Sequence, residues 1–193
     1  MNVVKGNVTV NMIRDDWDGL AAYDLPAGVS LHWYRPGNER HWVDIHLEAD
    51  PYNKITRAVY VREFGLDAAL LGQRQAFLVD DATGWFFGTA TAWWNDDYHG
   101  QPFGRLHWVA IAPAMQGRGL SKPLLSAVCR RIKELGDARA YLVTSTARIP
   151  AINLYARMGF QPDIRCPEDL AVWRAVQEHV RLPLSLQLRQ DAA

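Results

Sequence analysis

The sequence predicts a single α/β domain built on a mixed, mostly antiparallel sheet, with two neighbouring central strands running parallel. Three observations carry this. The chain has 193 residues, enough for one substantial core and too few for two comfortable domains. A hairpin pattern occupies its middle. After Pro113 the apolar period changes from two to helical, then back, giving strand, helix, strand, helix. A crossover of that kind is right-handed and leaves its two strands parallel.

The elements follow in order. Residues 28–34 alternate as a strand and close on Arg35-Pro36-Gly37, a turn. Asn38 is placed as N-cap of a helix to about Leu47, with Trp42, Ile45 and Val43 inward. A second helix is expected over residues 55–72. Gln75 to Asp80 and Trp85 to Trp94 read as strands joined by the turn at 81–84. Residues 95–103 read as a polar loop before a strand at Arg105 to Ile111. Leu120, Leu124, Val128, Ile132 and Leu135 then recur at helical spacing, and Gly136 is the natural stop. A strand at 139–144 and a short helix from about Pro150 to Met158, closed by Gly159, follow. The tail predicts a helix from Pro167 to about Val180 and a half-buried final strand with Leu182, Leu184, Leu186 and Leu188 at period two. Such an edge strand could pair between subunits, so a homodimer is compatible with the pattern.

Composition narrows the function. Lysine plus arginine, at 21, equals aspartate plus glutamate, so neither nucleic acid nor a membrane surface is an expected partner. Cys129 and Cys166 form no disulfide framework and no metal-ligand spacing, and the N-terminus has no apolar targeting segment. A cytoplasmic protein without a metal is expected.

The informative stretch is Val109-Ala-Ile-Ala-Pro-Ala-Met-Gln-Gly-Arg-Gly-Leu-Ser121, a buried strand entering a glycine turn and then an amphipathic helix. Free N–H groups at a helix start favour an anion, and glycine lets backbone approach it. Pro123 has no N–H, which delays regular helix bonding and leaves the amides from Gly117 to Lys122 available, with Arg118 and Lys122 adding charge. By itself Gly-x-Gly at such a turn is as well explained by close packing. Neither a P-loop ending nor the six-residue dinucleotide spacing is present.

Gln116-x-x-Gly119-x-Ser121, preceded by Val109-Ala-Ile-Ala-Pro113, resembles the coenzyme loop of the GNAT superfamily of acetyl-CoA-dependent N-acetyltransferases. Ala151-Ile-Asn-Leu-Tyr155-Ala-Arg-Met-Gly159-Phe160, about thirty residues on, is similar to that superfamily's second signature. The resemblance is specific over 105–162, taken as the coenzyme-binding core, with 1–27 an N-terminal extension and 163–193 a C-terminal helix and strand of one domain, 1–193. It implies that the parallel strands splay to admit acetyl-CoA, the acyl donor. It further implies that backbone N–H groups of Gly117, Arg118, Gly119, Leu120 and Ser121 hold the pyrophosphate, helped by Gln116 and Lys122. Val109 and Ile111 would pair with the pantetheine arm, and Tyr155 would lie near the thioester sulfur. Two positions depart from the pattern. Ser121 stands where Gly or Ala is usual, and Arg148 stands where an asparagine often contacts pantetheine; its longer guanidinium suits a phosphate or solvent.

Acetyl transfer to a primary amine then needs an unprotonated nucleophile, donors for the oxyanion and a proton for the thiolate. Tyr155 is the candidate acid. Some relatives place a glutamate where this chain has Arg105, and His107, on the same strand face, is the substitute base, with an ordinary strand histidine an equal reading. Asp96, Asp97, His99 or a water relay are further bases. Trp33, Trp42, Trp93, Trp94 and Trp108 are mostly core, although an aromatic pocket for a cationic amine is conceivable. Trp93 and Trp94 must face opposite sides of their strand. The rival reading is a non-catalytic acyl-CoA-binding module.

Overall fold

The computed structural model describes residues 3–189. Its seven strands are β1 (Thr9–Arg14), β2 (Val29–Trp33), β3 (Gln75–Asp80), β4 (Phe86–Tyr98), β5 (Gln101–Ile111), β6 (Ala140–Ser145) and β7 (Gln161–Pro162), ordered β2-β3-β4-β5-β6-β1-β7. The helices are α1 (Glu39–Ala49), α2 (Arg57–Phe64), α3 (Ala68–Arg74), α4 (Ser121–Glu134), α5 (Ile149–Arg157) and α6 (Pro167–Gln177). Among the described strands only β5 and β6 run parallel; every other pair is antiparallel. The mixed sheet of the expected α/β domain is therefore present. None of the described helices is long and apolar enough to cross a membrane.

Strand alternation sorts the core onto the two faces. In β3, Ala76 and Leu78 join the cluster built on α4 (Leu124, Leu125, Val128, Cys129, Ile132). Phe77 between them joins the cluster built on α1 and α2 (Trp42, Ile45, Tyr60, Phe64). The helical stripe read from Leu120 onward is the buried face of α4, and α5 and α6 add Ile152 and Trp173 to the same side.

Several expectations are corrected. The 55–72 helix is two helices. Thr56 caps α2 by accepting from Val59 N (3.1 Å), Gly65 at φ 69° ends it, and Asp67 caps α3 by accepting from Ala69 N (2.9 Å). The 95–103 loop is a continuation of the hairpin, with Asn95 opposite Phe103 and Tyr98 opposite Gln101. Its turn is His99-Gly100, both at positive φ. Asn38 precedes α1 as expected, but its side chain accepts from Arg35 N (2.7 Å) instead of capping the helix. The 182–188 tail is not a strand. Its Leu184 and Ser185 amides donate to the Gln177 and Gln161 side chains (2.7 and 2.9 Å), and Leu184 is buried in the core. The edge proposed for pairing subunits is absent among the described residues.

The N-terminal extension, left without structure by the sequence, supplies β1. It pairs along the whole of β6, from Thr9 opposite Ser145 to Arg14 opposite Ala140. Arg14 is buried and donates to the carbonyls of Asp16 (2.8 Å), Asp18 and Met158, tying β1 to the end of α5.

β5 and β6 pair only at Gly104 opposite Ala140 and Arg105 opposite Tyr141; beyond these they part. The register of β5 against β4 slips at the same level. Thr91 faces His107 and Thr89 faces Ala110, so Trp108 and Val109 together stand opposite Ala90, and Trp108 takes φ 47°. A bulge of this kind bends its strand. Gly104 begins the short parallel contact, and a Cβ there would collide with the Ile132 side chain of α4. Gly104→Ala is expected to destabilise the fold by about 1–3 kcal/mol, measured as a lowered urea midpoint at unchanged slope.

Candidate active site

The parted strands enclose a cleft of about 340 Å³, walled by β5 (Arg105 to Val109), β6 (Val143 to Ser145), α1 with its following turn (His46, Asp50, Tyr52) and Tyr155 of α5. A second cavity of about 340 Å³ shares Asp50, Tyr52, Val109, Arg148 and Tyr155 with it and reaches Ile111 and Gln116. Together they run from Gln116, where the glycine turn begins, to His107, with Tyr155 and Val109 on the wall of both.

At the turn, Gly117 and Gly119 take φ of 75° and 79°, with open space where a Cβ would stand. Their role is conformational freedom and not close packing. Leu124 N to Leu120 O (3.4 Å) is the first i to i−4 bond, because Pro123 cannot make one. Lys122 N is bonded to Gly119 O (3.3 Å), which removes it from the available amides; those of Gly117 to Ser121 have no acceptor among the described residues. Gln116 turns back, its amide donating to Ile111 O (2.8 Å), so it braces the loop against the end of β5. Lys122 places its ammonium over the Tyr23 ring, 5.7 Å away.

Arg148 does not lie free toward solvent. Its Nη2 is 2.8 Å from Asp50 Oδ1 and its guanidinium covers Tyr52, so it joins the start of α5 to the end of α1 across the cleft. Tyr155 is buried, which pushes its phenol up to about 12, with the Arg148 charge acting the other way.

His107 Nε2 lies 3.3 Å from Glu63 Oε2, and Trp108 Nε1 donates to the same oxygen at 3.3 Å. The His107 bond first, helped by Arg62 and Trp108, lowers Glu63 to about 2; burial lowers His107 to about 4. Near neutral pH Glu63 is therefore an anion, and His107 is neutral with its proton on Nε2. His46, on the buried stripe of α1, bonds through Nδ1 to Trp42 O (2.9 Å) and is also lowered to about 4 by burial.

Tyr155, His107, Val109, Ile111, Gln116 and Arg148 thus come together along one connected space. Arg118 is exposed at the turn. Asp96 and Asp97 belong to the far hairpin, where Asp96 accepts from Trp94 Nε1 (3.2 Å) and Asp97 bonds Gly100 N (3.0 Å). His99 lies 3.4 Å from buried Asp163. Glu63, Asp50 and His46 escaped the sequence reading. For His46 a signal existed: it stands four residues from Trp42, on the inward stripe of an amphipathic helix, where an imidazole is conspicuous. Of the tryptophans, Trp42 is fully buried, while Trp93 and Trp108 edge its cluster. Trp94 does not turn away as expected: its ring lies against that of Trp93, with centroids 4.5 Å apart, and carries the Arg74 guanidinium over it.

The two buried imidazoles predict a pH dependence of stability. Each has a folded value near 4, below the ordinary 6.5, so each contributes stability above about pH 6.5 that is lost as pH falls toward 4. The loss is about 3 kcal/mol per imidazole. Thermal midpoints recorded from pH 7.5 to 4.5 should fall, and less steeply for His107→Gln than for the parent.

A profile of the acetyltransferase (GNAT) family matches residues 41–160. Mycothiol acetyltransferase of Pseudarthrobacter chlorophenolicus is 30% identical over 145 residues, covering 70% of this chain and 43% of that protein. The mycothiol acetyltransferase of Saccharomonospora viridis is 29% identical over 149 residues, covering 71% and 47%. The chain spans under half the length of these two relatives. Among solved structures, a GCN5-related N-acetyltransferase from Sphaerobacter thermophilus superposes with a TM-score of 0.66 at 20% identity, covering 80% of this chain and 48% of that one. The ribosomal-protein-S18-alanine N-acetyltransferase of Escherichia coli superposes at 0.55 and 16% identity, covering 72% and 86%. These structures share the fold, and the profile spans well over half of the chain, across the glycine turn and Tyr155: the chain belongs to the GNAT acetyltransferase family.

Proposed function

We propose that this chain transfers the acetyl group of acetyl-CoA to a primary amine by direct attack within a ternary complex. The observation that carries the reading is the cavity that runs from Gln116, next to the unbonded amides of Gly117 to Ser121, along the unpaired edge of β5 to buried Tyr155. Five amides at a helix start suit a diphosphate. The length of β5 beyond Arg105 offers backbone to an extended pantetheine arm, as a strand would. In this arrangement Val109 and Ile111 meet the arm, Gln116 holds the turn in shape, and Arg118 and Lys122 add positive charge at its rim.

Little chemistry is asked of the protein, because a thioester is already activated and positioning supplies much of the rate. Tyr155 gives its proton to the departing sulfur; a phenol raised by burial stays protonated until a thiolate forms beside it. Arg148, neutralised by Asp50, fixes the wall next to Tyr155. Glu63, kept ionised by His107 and Trp108, faces the cleft as an anion with an indole beside it, which favours a cationic acceptor. His107 serves this site by holding Glu63, since its Nε2 proton is committed to that carboxylate. The mycothiol acetyltransferases name one acceptor for the test panel, alongside amino acids, polyamines and peptide N-termini.

Calorimetry with acetyl-CoA, followed by thiol release against that panel, tests the reading. Binding together with amine-dependent thiol release is expected; binding without turnover on any amine would leave a non-catalytic acyl-CoA module. Tyr155→Phe should lower kcat about 100-fold while acetyl-CoA affinity holds, and unchanged turnover removes Tyr155 from the chemistry. Gly117→Ala with Gly119→Ala should weaken acetyl-CoA about tenfold or more, because the left-handed backbone costs roughly 1–2 kcal/mol per residue. Calorimetry on the folded double variant reads this directly.

A further inference from the structure

His46 carries an imbalance that neither the fold nor the roles given to Tyr155, Glu63 and His107 uses. The residue is 1% exposed and lines the cleft. Its Nδ1 lies 2.9 Å from the Trp42 carbonyl, which can only accept, so in the neutral ring the single proton sits on Nδ1. Nε2 is left with a bare lone pair, and it is buried without any hydrogen-bond partner. A buried polar atom in that condition costs roughly 1–3 kcal/mol, and nothing in the fold recovers the loss. The rings of Trp42 and Trp108, 4.1 and 5.2 Å from the imidazole, fix its plane at the cleft wall, yet neither satisfies the nitrogen. The charged and titratable neighbours are Asp50 at the end of the same helix, which draws a proton toward the ring, and, from the other elements, His107 of β5 and Arg148 before α5, which oppose one. Burial dominates them, and the ring is neutral near pH 7.

We infer that His46 is the proton acceptor for the attacking amine, its Nε2 lone pair taking the proton that the nitrogen must shed. The inference rests on the acetyl-transfer reading above. The acceptor gives up its ammonium proton to solvent on entering the cleft; the lone pair of the neutral amine then forms a bond to the acetyl carbonyl carbon, and the C–S bond breaks with its electron pair on sulfur. The excess proton on nitrogen passes to His46 Nε2, and sulfur takes the Tyr155 phenol proton. The imidazolium then returns a proton to the phenolate, so an amide and a free thiol leave and both side chains are restored. A ring that holds its proton weakly suits this cycle. Nitrogen becomes strongly acidic once bonded to the carbonyl carbon, and the buried imidazolium releases the proton readily afterwards. His107 is less suited to the task, because its Nε2 already donates to Glu63.

The test compares the parent chain with His46→Gln and His46→Ala, using acetyl-CoA and the amine acceptor from the panel, and calorimetry of acetyl-CoA as the measure of an intact cleft. Gln keeps a polar side chain without a usable base; Ala opens a space shaped for imidazole. Expected is a fall in kcat of about 100-fold or more in both, acetyl-CoA affinity close to that of the parent, and recovery of His46→Ala alone by added imidazole. Retention of kcat within about threefold, a change of less than 1 kcal/mol in the barrier, overturns the inference. So does a His46→Ala protein that binds acetyl-CoA but gains nothing from imidazole. If His46→Ala does not fold, the kcat of His46→Gln decides. A parent chain that releases thiol to no amine overturns the transferase reading first, and an active parent with active variants overturns only the role of His46.

Discussion

The separation of β5 from β6 is the constraint on which the rest of the site depends. Two parallel strands joined by a helix ordinarily pair along their shared length, satisfying each other's backbone. Here the extra residue at Trp108 bends β5 after two paired positions, and the strand ends diverge instead of closing. One irregularity has three results. It opens the cleft, leaves backbone of β5 without a neighbouring strand, and turns the Trp108 indole toward Glu63 and His46. A regular strand at this place would have given a tighter sheet and no site.

Around that opening the two faces of the sheet divide the work. The α4 side presents the glycine turn and packs the larger cluster beneath it, which holds the turn in place without side-chain capping. The α1–α2 side is aromatic and carries the ionisable groups, with Trp42 at its centre and His46, Glu63 and His107 around the margin. The Arg148–Asp50 pair crosses between the sides. A guanidinium takes the place expected of an asparagine, and its charge is absorbed locally, so the substitution alters the mouth of the cleft without loading it with positive charge.

Legibility in the sequence followed the range of the interactions. The strand–turn–helix from Val109 and the α5 segment ending at Gly159 were readable because glycine, proline and apolar spacing act over a few residues. The split at Gly65 was readable in principle, since Thr56 and Asp67 are both capping residues, but a continuous apolar pattern concealed it. The hairpin at 95–103 was missed because its residues look solvated one by one; their strand state comes from pairing and from Tyr98 stacked on Tyr141 at 3.7 Å. β1 was invisible for the same reason, since its partner lies more than a hundred residues away. Glu63 and His46 sit beside His107 only once α1 and α2 are laid on the sheet, which no local pattern encodes.

That remote partner bears on how the molecule is made. β1 is made before the other described strands, yet the strand it must join, β6, is complete only at Ser145, and β1 then stands between β6 and β7. During synthesis the first strand waits with an open edge, while β2 to β5 can already pair among themselves. Closing so large a loop carries a high entropic cost and slows assembly. Arg14, whose guanidinium reaches back to the end of α5, ties β1 to this late-made part of the chain. The sheet is therefore completed by a strand made before the glycine turn, paired with one made after it.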